Sequence, residues 1–317
     1  MKRLAFLFKI LFLFTVSYSG AQESQVRSMK LHPEIPKVGK NDVVISHVGY
    51  SFVYNEEHEQ ASWVAYELTK EETTKAFERT NRFKPDPAVS TLTANDADYA
   101  GSGYDKGHLA PVADMEWSST AMAESFYYSN MSPQVPGFNG GIWKKLEERV
   151  RTWAIENNSL LIVTGPVLRK GLKTIGADWV SVPDLYYKVI LDNHEPSIKG
   201  IAFLIHNASQ SAGLQSFVVS IDSVESVTGI DFFPNFPNEA TIEKTSNVDQ
   251  WSWTRTEQVT TFNKGYEDLG HSIVKGKKSP AQNQQCHGVT KSGTRCSNKT
   301  INVNGYCHLH ESQSKSQ

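Results

Sequence analysis

Three apolar runs dictate most of what this chain can become: LLIVTGPVL at 160–168, DLYYKVILD at 184–192 and KGIAFLIHN at 199–207. Each is short, rich in β-branched and aromatic residues, and bounded by turn-forming residues, so each reads as a strand. Upstream, Val48, Tyr50, Phe52 and Tyr54 alternate, a polar stretch covers 55–60, and Trp63, Ala65 and Glu67 resume the alternation, which predicts a hairpin. Two helices are expected between these strands, at about 118–130 and 139–157. In the second, Ile142, Leu146, Val150 and Trp153 recur at spacings of three and four, giving one apolar face. Strands on both sides of helices, without a strict βαβ alternation, argue an α+β fold over a doubly wound sheet.

With 317 residues, 39% of them hydrophobic and 21% charged, the chain can bury a sizeable core and is not compositionally disordered. All three cysteines, Cys286, Cys296 and Cys307, fall near the C-terminus, so no disulfide holds the main body. The net charge of −2 hides an uneven distribution. Residues 1–21 carry +3, residues 272–317 carry +6, and the stretch between holds 22 basic and 33 acidic side chains. A basic tail on an acidic body makes the tail the part that attracts polyanions.

The opening, MKRLAFLFKILFLFTVSYSGAQES, places two charges before an apolar run and small residues at Ser19, Gly20 and Ala21. It reads as a secretory signal over residues 1–21, with an N-terminal membrane anchor as the competing reading. The expectation is an exported protein, periplasmic or extracellular, with no integral membrane segment after cleavage. Residues 22–44, polar and carrying Pro33 and Pro36, read as a linker, 45–274 as the main domain, and the polar KGKKSPAQNQQ at 275–285 as a second linker.

Chemistry concentrates in GSGYDKGHLAPVADM at 101–115 and NMSPQVPGFNGGIWKKLEERV at 130–150. His108 lies beside Asp105 and Lys106, and a neutral imidazole can take a proton from water near neutral pH. In the second stretch Asn139, Trp143 and Glu147 are four residues apart and share a face of a regular helix. An amide oxygen aided by water suits Mg²⁺, a hard ion that uses few protein ligands. Asn139 is equally suited to capping the helix.

Taken together, Asp105-Lys106-Gly107-His108, then Asn130-Met131-Ser132-Pro133-Gln134, then Asn139 through Trp143 to Leu146-Glu147, resemble the signature of the DNA/RNA non-specific endonucleases. The resemblance covers roughly residues 45–270. It implies a ββα-metal nuclease core in an antiparallel sheet flanked by helices, acting on DNA and RNA, and it admits a homodimer. By the same resemblance His108 is the general base, Asn139 the direct ligand to Mg²⁺ or Mn²⁺, Glu147 orients water bound to the metal, and Asn130 supports the site. Cleavage would leave 5′-phosphate and 3′-hydroxyl ends. The family has arginine where this chain has Lys106, and lysine keeps the charge but loses the planar fork that grips phosphate. Lower activity than an arginine version is therefore expected. A second arginine of the family's site would be Arg79 or Arg82, in ERTNRFKPDP.

At the C-terminus Cys286, Cys296, Cys307 and His310 form C-x9-C-x10-C-x2-H over 286–310. Three thiolates and one imidazole suit tetrahedral Zn²⁺, and a segment this short needs metal to order it. One disulfide with a free thiol is the competing reading. No G-x-S-x-G or H-E-x-x-H occurs, which disfavours a serine hydrolase and a zincin. Two rivals stand beside the nuclease reading: an inactive nuclease fold that binds nucleic acid or a surface, and a phosphodiesterase acting on smaller substrates.

Overall fold

A computed structural model describes residues 32–194, 198–236, 239–254 and 257, with the backbone of 284–285 and 299–300. The chain forms two units, 1–271 and 272–317. In the second, a short antiparallel pair joins Gln284–Gln285 to Lys299–Thr300. Residues 1–21 and the four residues expected to bind zinc lie outside the described ones.

The first unit is built on a seven-stranded sheet. In chain order its elements are β1 (Val44–Ser46), β2 (Ser51–Asn55), β3 (Gln60–Thr69), α1 (Asp96–Tyr99), β4 (Asp105–His108), α2 (Ser119–Glu124), β5 (Met131–Gln134), α3 (Lys144–Asn157), β6 (Ser159–Pro166), β7 (Lys173–Ile175), β8 (Val180–Val182), β9 (Leu185–Asp192), β10 (Lys199–His206), β11 (Val218–Val219), α4 (Ile221–Thr228) and α5 (Glu239–Lys244). The sheet order is β1-β2-β3-β6-β9-β10-β11, and every neighbouring pair is antiparallel. The predicted hairpin is β2–β3, and the three apolar runs are β6, β9 and β10. They read as runs because both sheet faces are covered. On one face Phe52, Tyr66, Ile162, Ile190 and Phe203 pack against Leu146, Val150 and Trp153 of α3. On the other Trp63, Val163, Val189 and Leu204 pack against Ile221 and Val224 of α4 and Ile242 of α5. The mixed α+β architecture with an antiparallel sheet is the expected one.

Both helices differ from their expected limits. The first shrinks to α2, six residues started by the Ser118 side chain accepting from Ala121 N–H. The second does not begin as a regular helix. Residues Phe138–Trp143 form a wide π-type turn broken at Gly141, whose φ of −104° and ψ of −111° are not helical, and regular α-helix starts at Lys144. Two consecutive glycines, Gly140 and Gly141, permit that break at little steric cost. Asn139 therefore does not share a regular helical face with Glu147. Residues 32–43, within the stretch read as linker, reach the body through Lys37, whose backbone N–H donates to the Asp231 carbonyl at 2.9 Å.

Candidate active site

β4 and β5 pair antiparallel in the register Asp105 opposite Gln134 and His108 opposite Met131, and the chain then runs into the turn carrying Asn139 and into α3. This is a strand–strand–helix unit laid against the main sheet. Hydrogen bonds fasten it there: the Ser132 hydroxyl donates to Gln60 Oε1 at 2.5 Å, the Tyr186 hydroxyl donates to the Pro133 carbonyl at 2.9 Å, and Asn207 Nδ2 donates to the same carbonyl at 3.0 Å. Gly107 is required by a close approach. A Cβ built there would lie 2.1 Å from Gln134 Cδ, so the buried Gln134 amide occupies the space of a side chain. Both amide atoms of Gln134 are shielded from water and lack a hydrogen-bond partner among the described residues.

His108 closes β4. Its ring meets Phe126 edge-on with centroids 5.2 Å apart and lies 5.8 Å from Phe83. Its Nε2 is buried with no hydrogen-bond partner among the described residues. Burial first, and the charge of Arg79 second, push its pKa down to about 3, so the imidazole is neutral at physiological pH. Asn130 fixes the chain beyond it. The Asn130 side chain accepts from Ala110 N–H and donates to the Ala110 and Ser125 carbonyls, each at 2.9 Å, which uses all of its amide locally.

Cations flank the histidine. Arg79 lies over the ring of Phe126, the same ring that His108 meets, 5.5 Å from its centroid. Lys106 sits 4.2 Å from the Phe83 centroid and donates to Asp96 Oδ1 at 2.6 Å, where the Tyr128 hydroxyl also donates. Asp96 is held below its usual range by the Lys106 hydrogen bond and then by that of Tyr128. Asn139 is tied to the start of β4, its Nδ2 donating to Asp105 Oδ2 at 2.9 Å, which leaves its amide oxygen without a hydrogen-bond partner among the described residues. Of the two candidate arginines, Arg79 reaches the histidine's surroundings. Arg82 is exposed, and its side chain makes no hydrogen bond, ion pair or ring contact among the described residues.

Glu147 belongs to a neighbouring cluster of charge under α3. Burial raises its pKa, opposed by Lys188; burial lowers that of Lys188, opposed by Glu147. The Lys188 ammonium is fully buried, 5.0 Å from the Trp143 ring centroid, with no hydrogen-bond partner among the described residues. Asp114 and Arg151 complete the group, joined at 2.8 Å. Phe83, Asp96, Phe126 and Lys188 were not singled out by sequence reasoning, because each reaches the site through long-range packing. Gln134 belongs to the Asn130–Gln134 signature, but its packing against Gly107 depends on the β4–β5 register.

Arg79 and Arg82 give opposite expectations. Arg79→Ala raises the pKa of His108, read from the histidine's NMR titration, because one of the two causes depressing it is gone; Arg82→Ala leaves it in place. Equal titrations in the two variants would contradict the geometry.

The strand–strand–helix unit on an antiparallel sheet is the fold of the ββα-metal class, and comparison with known proteins gives the family. The DNA/RNA non-specific endonuclease family matches residues 30–239, and the chain belongs to it. A domain of unknown function matches residues 283–316. The chain is 38% identical over 201 residues to a mitochondrial nuclease EXOG of Danio rerio, covering 57% of this chain and 58% of that one. It is 33% identical over 205 residues to human mitochondrial endonuclease G, covering 60% and 69%. The crystal structure of an EndoG/EndoGI complex superimposes with a TM-score of 0.61 at 29% identity, over 67% of this chain and 93% of that one. The chain thus spans less than two thirds of the EXOG relative. The expectation of an exported, periplasmic or extracellular protein is not sustained, since these relatives are mitochondrial nucleases. Among the described residues no helix is long and apolar enough to cross a membrane.

Proposed function

We propose that the chain is a divalent-metal-dependent endonuclease that hydrolyses phosphodiester bonds of DNA and RNA without sequence specificity. The observation that supports this most is a neutral His108 on the strand–strand–helix unit, half-buried but with its Nε2 shielded and without a hydrogen-bond partner among the described residues, and with the cations of Arg79 and Lys106 nearby. The donor set suits a hard cation. Asn139 has its amide nitrogen engaged by Asp105 and its oxygen left over, so it would hold Mg²⁺ or Mn²⁺. When bound, such a cation stabilises negative charge on the phosphate and on the leaving oxygen.

The protein's own groups carry the remaining work. Arg79 and Lys106 bind phosphate oxygens, and Lys106 exchanges Asp96 for the substrate as it does so. His108 takes a proton from the attacking water. Water oxygen bonds to phosphorus as the bond to the 3′ oxygen breaks, and that oxygen takes up a proton from solvent, leaving 5′-phosphate and 3′-hydroxyl ends. The arriving phosphate offsets the charge of Arg79, which raises the basicity of His108 at the moment it is needed. Glu147 accepts hydrogen bonds from water on the α3 side, and Asn130 keeps the chain after His108 in place. The C-terminal segment 286–310 reads as a separate module after the 275–285 linker, with Cys286, Cys296, Cys307 and His310 holding one Zn²⁺. Metal analysis should find one zinc per chain, lost in Cys307→Ser; a titratable free thiol in a zinc-free wild type would contradict this.

The test is digestion of circular plasmid DNA and total RNA by the full chain, with Mg²⁺ or with EDTA. Both substrates should be degraded in Mg²⁺ only, with ends that accept label after phosphatase treatment. A folded protein that cleaves neither in Mg²⁺ or Mn²⁺ would overturn the reading in favour of a binding protein. Cleavage of dinucleotides alone would favour a small-substrate phosphodiesterase.

A further inference from the structure

On the sheet face opposite α3, helices α4 and α5 bring three carboxylates together. Asp222 and Glu225, three residues apart, share one face of α4, and Glu243 comes from α5. One oxygen of each lies within 4.8 Å of the other two. Glu243 is only 8% exposed, and its Oε1 is shut off from solvent with no hydrogen-bond partner among the described residues. Nearby charge is no help: Glu239 and Asp231 add to the negative field, and Lys37 is engaged by Asp231 at 2.8 Å. Glu225 already accepts Phe232 N–H at 2.8 Å. Burial and the neighbouring carboxylates push Glu243 up to about 8.

A buried carboxyl crowded by two others and left without a donor is costly unless it takes up a proton or a cation. Three carboxylates within reach of one another suit a hard cation. Ca²⁺ takes carboxylate oxygens in flexible geometry, whereas Mg²⁺ demands near-ideal octahedral geometry and keeps several waters, so groups from two separate helices suit Ca²⁺ better. We propose that Asp222, Glu225 and Glu243 form a Ca²⁺ site that clamps α4 to α5 over β10. Both helices already meet there: a Cβ built at Gly200 of β10 would lie 2.8 Å from Ile221 Cδ1 and 3.0 Å from Ile242 Cγ2. The site is separate from the nuclease centre, because the sheet lies between the core packed under α3 and the core packed under α4 and α5. Glu243 also lies beyond the matched family region, which ends at residue 239. The role is to hold the fold together, and it does not depend on the nuclease reading.

The test uses the full chain stripped with EDTA and titrated with CaCl₂, in an Asn139→Ala background that suppresses cation binding at the nuclease centre. Thermal melting should rise by roughly 5–10 °C at Ca²⁺ about a hundredfold above its Kd. Glu243→Gln and Asp222→Asn should each abolish the rise and bind one Ca²⁺ fewer per chain by calorimetry. Metal-free Glu243→Gln should melt no lower than its parent, since the neutral amide brings a donor to the crowded carboxylates. An absence of any Ca²⁺-dependent rise in the parent, or the same rise and stoichiometry in both variants, would overturn the proposal.

Discussion

Replacing His108 with alanine lowers turnover on plasmid DNA by about 10²–10⁴-fold, the range that a positioned general base contributes. Loss of this size with the fold intact is expected because His108 is held by ring contacts with Phe83 and Phe126 rather than by a network that others depend on. The same substitution changes acid sensitivity, with a definite sign. The folded pKa of His108, about 3, is depressed below its ordinary value of 6.5. Its contribution to stability is therefore complete above pH 6.5 and is lost as pH falls toward 3, because the unfolded chain takes up a proton that the folded one refuses. Melting of the wild type should fall more steeply over that window than melting of His108→Ala. For activity, a histidine neutral across pH 5–8 sets no acid limb in the free enzyme. A turnover within tenfold of wild type, measured with saturating Mg²⁺, would remove His108 from the role of base.

The parts legible in the sequence were those with a local period or a local motif. The apolar face Ile142, Leu146, Val150 and Trp153 is buried as its spacing requires, and the expected hairpin forms as β2–β3, with Phe52 opposite Val64 and a shift in register at Val53–Tyr54. The family signature also reads locally, because β4, β5 and α3 follow one another in the chain. What could not be read depends on distance in sequence or on backbone detail. Lys188 interrupts an apolar run and looks like a polar break in a strand, yet it is fully buried because the field of Glu147 reaches it from α3. Arg79 and Arg82 are three residues apart in a stretch without periodicity, and only the placement of Phe126 separates them. The broken turn at Gly141 follows from two glycines, whose many conformations no pattern resolves. Asp222 and Glu243 are joined only by the packing of two helices over Gly200.

Asp114→Ala should be the most destabilising single change near the site, at about 3–5 kcal/mol, the usual cost of removing one partner of a buried charged pair. Asp114 is 1% exposed and accepts both the Tyr66 hydroxyl and Arg151 Nη1 at 2.8 Å. Alanine leaves the buried Tyr66 hydroxyl without its acceptor and the half-buried Arg151 without its partner, so the penalty exceeds the worth of the lost contacts. For a domain of this size that is a fall in melting temperature of roughly 10 °C. Asp114→Asn keeps an acceptor but not the charge and should lose less. If the unpaired arginine is the cause, Asp114→Ala combined with Arg151→Met recovers part of the loss, a non-additivity that a double-mutant cycle measures directly. Turnover should fall along with stability, because Arg151 lies one helical turn beyond Glu147 and both answer to the charge of Asp114. A single variant that loses under about 1 kcal/mol, or a pair whose losses add, would show that the buried charges do not act as one unit.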